Sequence, residues 1–193
     1  MMMSNISKTI LALSATALAG CMTMTPMAGD GSNAISYVGG APMYPAKTIV
    51  ENASNSPEHT TLVAAVKAAG LVDTLTGPGP FTVFAPTNAA FTKLPAGTVE
   101  SLLRPENKAM LQSVLTYHVV PGRLTAADLS SMIKAGGGQA RLVTVQGATL
   151  TARKQGDKII LSDAKGGTST VTQANVMQSN GVIHATDAVS LPG

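Results

Sequence analysis

Apolar positions along the chain change their spacing several times. Thr9 to Leu18 is a mostly apolar run, too short to cross a bilayer as a stable helix. Residues 22–47 show no period and are rich in Gly, Ser, Ala, Pro and Met. From about Thr48 the pattern becomes that of a folded domain. Asn55-Ser56-Pro57-Glu58 reads as a helix start, with Ser56 as N-cap and Pro57 in the first helical position. Leu62, Val63, Val66 and Ala69 then share one helical stripe, and Gly70 can end that helix in the left-handed conformation. Leu71, Val72 and Leu75 continue the apolar face. A second helical region runs from about Thr98 to Leu115 and is interrupted near Pro105. Leu102, Leu103, Met110, Leu111, Val114 and Leu115 supply its buried side.

Between these regions, Gly77-Pro78-Gly79-Pro80 leads into a strand at Phe81, Val83 and Phe84. Pro86 stops it, because proline has no amide hydrogen for a sheet ladder. Thr87 follows as a helix N-cap whose hydroxyl can accept from a backbone N–H near Ala90. Phe91, four residues on, can turn back over the first turn. Tyr117-His118-Val119-Val120 reads as a short strand closed by Pro121-Gly122, and Thr125–Leu129 as a short helix start. After Arg141 the period becomes that of strands: Leu142–Val145, Thr149–Arg153, Lys158–Leu161, Thr170–Met177 and Val182–Val189. Asn180-Gly181 between the last two is a strong hairpin-turn signal. Helices gathered in the first half and strands in the second predict an α+β fold.

Composition adds location more than chemistry. Charged residues are only 12% of the 193, and the aromatics are three Phe, three Tyr and no Trp. The core must therefore come from Val, Leu, Ile and Ala. Lys8 precedes the first apolar run, which ends in Leu18-Ala19-Gly20-Cys21. This resembles a bacterial lipoprotein signal and cleavage box over residues 1–20, with Cys21 as the acylated residue. Cys21 is the one cysteine of the chain, so an internal disulfide is excluded, and lipidation accounts for an exported lone thiol. Removing Lys8 with the signal leaves twelve basic and ten acidic residues, a net charge of +2. The densest basic set, Arg153, Lys154, Lys158 and Lys165, is interleaved with Asp157 and Asp163. That is a solvated hairpin surface, and no nucleic-acid partner is expected. Acyl chains on Cys21 would hold the protein at a membrane. Met22 stands where Asp would suggest inner-membrane retention, so similarity to sorted lipoproteins implies an outer-membrane address in the cell envelope, on the periplasmic face or the cell surface. Residues 21–47 are then lipidated cysteine and flexible tether, with an r.m.s. span of about 25–30 Å, and 48–193 the domain. Met22, Met24 and Met27 read as apolar linker in preference to a Cu(I) site.

Three separated segments resemble the fasciclin-like (FAS1) family. They are Phe81–Phe91, with Phe84, Pro86, Thr87, Asn88 and Phe91; Tyr117-His118; and Asn180-Gly181-Val182-Ile183-His184-Ala185-Thr186-Asp187-Ala188-Val189. Asn88 stands where many members carry Asp, which removes a charge and keeps a capping side chain. The resemblance implies a single domain of two packed β-sheets flanked by several α-helices. It also implies a non-catalytic role in adhesion or in binding a surface protein or matrix polysaccharide. An alternative is a structural envelope or biofilm-matrix component. By the same resemblance, Tyr117 and His118 are candidates for a partner-binding surface.

The residues themselves offer little catalytic chemistry. His59, His118 and His184 lack metal-ligand spacing, so neither a metal site nor a cofactor is expected. His118 and His184 are expected chiefly to donate hydrogen bonds inside the fold. A hydrolase would need a nucleophile elbow, and none is present. His184 and Asp187, three apart, would point to opposite faces of a strand.

Overall fold

The computed structural model describes residues 34–193. The signal region, Cys21 and the Met22–Met27 run lie outside the described residues. The chain then forms β1 (Ser36–Val38), β2 (Ala41–Met43), α1 (Ile49–Asn55), α2 (Thr60–Ala69), α3 (Val72–Thr76), β3 (Phe81–Pro86), α4 (Asn88–Thr92) and α5 (Thr98–Leu102). After a 3-10 turn at Pro105–Asn107 come α6 (Lys108–Tyr117), β4 (Val119–Pro121) and α7 (Ala126–Ala135). The last five strands are β5 (Gln139–Val143), β6 (Thr149–Gln155), β7 (Lys158–Ser162), β8 (Thr168–Gln178) and β9 (Gly181–Thr186).

The expected α+β class holds. Seven strands form one ladder in the order β4-β3-β9-β8-β7-β6-β5, and β1-β2 form a separate hairpin. The ladder consists of two sheets sharing β8. Thr168–Thr170 pairs with β7 and Val171–Gln178 pairs with β9, with register shifts around Gln173. Among the described residues only β3 and β9 run parallel, from Phe81 opposite Gly181 to Pro86 opposite Thr186. Side chains alternate across β3. Val83 and Ala85 enter a core shared with α1, α2, α5 and α6. Phe84 enters a second core with Leu129 and Ile133 of α7 and with Leu142, Leu150 and Leu161 of the outer strands.

Several expectations are corrected here. Residues 36–43 are not free tether: they form the β1-β2 hairpin, and Val38 and Met43 are 1% exposed in the first core. Ser56 does not start a helix. It follows α1 as its C-cap, its N–H donating to the Ala53 carbonyl. The α1 start is instead a capping box, with Thr48 Oγ1 accepting from Glu51 N and Glu51 Oε2 accepting from Thr48 N. Tyr117-His118 is the end of α6 and not a strand: β4 begins only at the β-branched pair Val119-Val120. Thr87 does occupy the N-cap of α4, but its hydroxyl makes no capping bond; Ala90 N donates to the Thr87 carbonyl at 2.8 Å. Met110, expected in the core, is 60% exposed. The Gly70 prediction holds, with φ +71.

Candidate functional site

Tyr117 and His118 are both buried, at 0% and 3% exposure. They therefore present no surface to a partner, and the binding role expected of them is corrected. Their positions follow from α6, which delivers them beneath the C-terminal segment. Tyr117 Oη donates to the Thr149 carbonyl at 3.0 Å and accepts from Ala164 N at 3.2 Å. His118 Nδ1 donates to the Val114 carbonyl at 2.8 Å, and Nε2 accepts from Ser190 N at 3.0 Å. That pair of bonds fixes a neutral imidazole with its proton on Nδ1. Asp163 completes the clasp: Oδ2 accepts from Leu191 N at 2.9 Å and Oδ1 from Gly167 N at 2.7 Å. Burial pushes the His118 pKa down and the Tyr117 pKa up.

His184 is similarly committed. It stacks on Phe84 with ring centroids 5.6 Å apart. Its Nε2 donates to the Leu124 carbonyl at 2.8 Å, and its Nδ1 accepts from Asn175 N at 3.4 Å. Burial lowers its pKa. Asn175 is a residue that sequence reasoning missed. It sits among the β8 register shifts in the left-handed conformation, φ +60, and its Oδ1 accepts from Ala126 N, the first residue of α7, at 2.7 Å. The signal was an asparagine inside a strand pattern, a residue type depleted in strands and tolerant of positive φ.

The other motif residues are fasteners between distant elements. Asn180 Oδ1 accepts from Ile49 N, and its Nδ2 donates to the carbonyls of Leu75 and Gly77. One turn side chain thus serves the start of α1 and the end of α3. Asn88 Oδ1 accepts from Thr61 N at 3.0 Å, and Nδ2 donates to the Pro57 carbonyl at 2.9 Å. His59, the N-cap of α2, makes no side-chain cap bond, so Asn88 caps α2 from 27 residues away. Asn88→Ala is expected to lower stability by about 1–2 kcal/mol in urea denaturation, with the fold retained. Asp187 lies just past β9. Its Oδ1 accepts from Thr170 N at 2.7 Å, and its Oδ2 meets Lys93 Nζ at 3.3 Å. Phe91 packs on the first core and Pro86 is buried at the end of β3.

His59 differs from the other two histidines. Ser56 Oγ lies 2.9 Å from its Nδ1, while its buried Nε2 has no hydrogen-bond partner. Burial lowers its pKa, opposed by the Ala85 carbonyl and Glu58. Among the described residues no group of three or more His, Cys, Asp or Glu is placed to hold a metal ion. Most polar side-chain atoms of the motif residues are therefore bonded inside the fold, chiefly to backbone groups. That arrangement sets register and packing.

The fasciclin-domain family model matches residues 57–192. The chain belongs to the fasciclin (FAS1) family. This fasciclin domain is 52% identical over 147 residues to "Protein sll1483" of Synechocystis, covering 76% of this chain and 74% of that one. It is 37% identical over 190 residues to "Immunogenic protein MPB70" of Mycobacterium bovis, covering 91% and 90%. It is 35% identical over 145 residues to "Cell surface glycolipoprotein MPB83" of the same species, covering 72% of this chain and 58% of that one. Its fold matches a FAS1 domain pair from the insect cell adhesion molecule fasciclin I with a TM-score of 0.67 at 19% identity. The match covers 76% of this chain and 51% of that one. The fasciclin fold here is thus one unit of a module that occurs there as a pair. Among the described residues no helix is long and apolar enough to cross a membrane.

Proposed function

We propose that this chain is a lipid-anchored, extracytoplasmic FAS1 module that binds a surface protein or matrix polysaccharide in adhesion, without catalysis. The observation that carries the reading is the relative named a cell surface glycolipoprotein, taken with Cys21 behind its small-residue box. The internal commitment of the motif residues supports a binding module over an enzyme. The histidines and Tyr117 are buried, and each makes a hydrogen bond inside the fold. A partner is then expected to meet exposed side chains outside the motifs.

The anchor is tested by expressing the wild type and Cys21→Ser in a bacterial host with the lipoprotein pathway. The wild type is expected in the carbonate-washed membrane fraction with an acyl mass on its N-terminal peptide. Cys21→Ser is expected to lose the acyl mass and fall at least about tenfold in that fraction. Equal release of both proteins overturns the anchor. Protease accessibility on intact cells distinguishes the cell surface from the periplasmic face. Adhesion of cells carrying the wild type, against cells lacking the chain, tests the binding role.

A further inference from the structure

The β1-β2 hairpin has two unlike faces. Ser36 pairs with Met43, Tyr37 with Pro42 and Val38 with Ala41. Val38 and Met43 are buried in the first core. Alternation along each strand therefore places Tyr37 and Pro42 on the outer face, with Ile35 and Tyr44 continuing it at the open end. Ile35, Tyr37 and Tyr44 are 46%, 63% and 40% exposed. Of the three tyrosines in the chain, the third, Tyr117, is buried. Both exposed aromatics thus lie on this one small face. Lys47 Nζ stands 5.2 Å from the Tyr44 ring centroid at its margin.

We infer that this outer face of the hairpin seats on the lipid headgroup interface of the membrane that carries the anchor. The inference rests on the anchor reading for its geometry. The described fold begins at Ala34, one residue before Ile35 of this same face. Residues 22–34 can reach at most about 45 Å, so the hairpin is the part of the described domain closest along the chain to the acyl group. The chemistry also matches. Tyrosine places an apolar ring below and a hydroxyl at the headgroups, an aliphatic residue adds buried area, and a lysine beside them suits anionic lipid. Four side chains would hold a bilayer weakly by themselves. Tethering raises their effective concentration at the surface to the order of millimolar. The seated hairpin would then orient the domain, with β8 and the rest of the ladder above it, instead of leaving it free at the end of a leash.

The absence of tryptophan supplies the test. Tyr37→Trp makes a single fluorescent reporter on the face, and Val143→Trp makes one at a different exposed position. The mature chain, residues 21–193, is coupled through its lone Cys21 to a maleimide-headgroup lipid, in vesicles of phosphatidylethanolamine and phosphatidylglycerol with and without bromolipid. This attachment does not depend on cellular acylation, so a failed anchor reading and a failed seating reading are distinguishable. Tyr37→Trp is expected to shift to shorter wavelength and be quenched at least about twofold. Val143→Trp should be unaffected, and Tyr44→Ser added to Tyr37→Trp should weaken the quenching. Equal quenching of both reporters, or none at position 37, overturns the proposal. So does a wavelength shift at position 37 that needs no vesicles and grows with protein concentration, which would assign the face to a second copy. A shift that needs an added protein or polysaccharide would assign the face to that partner instead.

Discussion

Gly181→Ala is expected to cost about 3 kcal/mol or more and to leave little folded protein. An added Cβ would stand 2.1 Å from the Phe81 carbonyl oxygen and 2.9 Å from its carbon, with Ile49 Cδ1 at 3.0 Å. The obstacle is backbone, and it is the partner strand at the first rung of the parallel β3-β9 pair. Relief requires either moving Phe81, whose N–H donates to the Asn180 carbonyl at 3.0 Å, or opening the sheet at its centre. Gly79 is caught in the same pinch, since a Cβ there would meet the Asn180 carbonyl oxygen at 2.1 Å. A comparison separates sterics from backbone preference. Gly156 has φ +60 with open space around a would-be Cβ, so Gly156→Ala should cost only about 1 kcal/mol. Urea denaturation followed by far-UV circular dichroism, with soluble yield as a second readout, measures both. Equal costs for the two variants would mean that the close approach at Gly181 is not rigid.

Stability is expected to fall steeply as pH drops below about 6.5, the ordinary histidine value. His59, His118 and His184 all have folded-state pKa values lowered chiefly by burial. In the unfolded chain each takes up a proton near its ordinary value. Below that pH the unfolded state therefore binds more protons, and unfolding becomes easier as pH falls. Above it all three are neutral in both states and contribute no slope. Each histidine adds about 1.4 kcal/mol per pH unit while it is charged only in the unfolded state, so three together give up to about 4 kcal/mol per unit. The loss levels off once pH falls below the folded values. Denaturation midpoints at pH 7.5, 6.5 and 5.5 (chosen to bracket the ordinary value,) should show the break. His184→Gln, which retains a side-chain donor for the Leu124 carbonyl, should remove about a third of the slope. A stability flat across this range would show that the histidines stay accessible to protons.

The class of fold and most elements were legible because they rest on local signals. Gly70, the break near Pro105, and the Asn180-Gly181 turn each act through their own backbone. What was illegible rests on partners far along the chain. Ser56-Pro57 has the look of a helix start, but α1 is closed by Ser56 and α2 is capped by Asn88. No window of residues 50–65 contains that asparagine. The hairpin at residues 36–43 is held by two buried side chains, Val38 and Met43, in a stretch whose composition is that of a linker. Three-residue strands give too little alternation to detect. Tyr117 and His118 were legible as important but not as buried, because both side chains suit a surface as well as a core. Only the long-range bonds to Thr149, Ala164 and Ser190 decide it.

The position of β9 has a consequence for how the chain matures. It is the last of the described strands in sequence, yet it lies inside the ladder between β3 and β8. Until Gly181–Thr186 is available, β3 has β4 as its one sheet partner, and the path from β3 to β8 through the sheet is missing. The first core is also left without Ile183. Closing the sheet requires contacts about a hundred residues apart in sequence, so folding is slow relative to local helix formation. The nascent domain therefore stays open until Gly181–Thr186 has emerged.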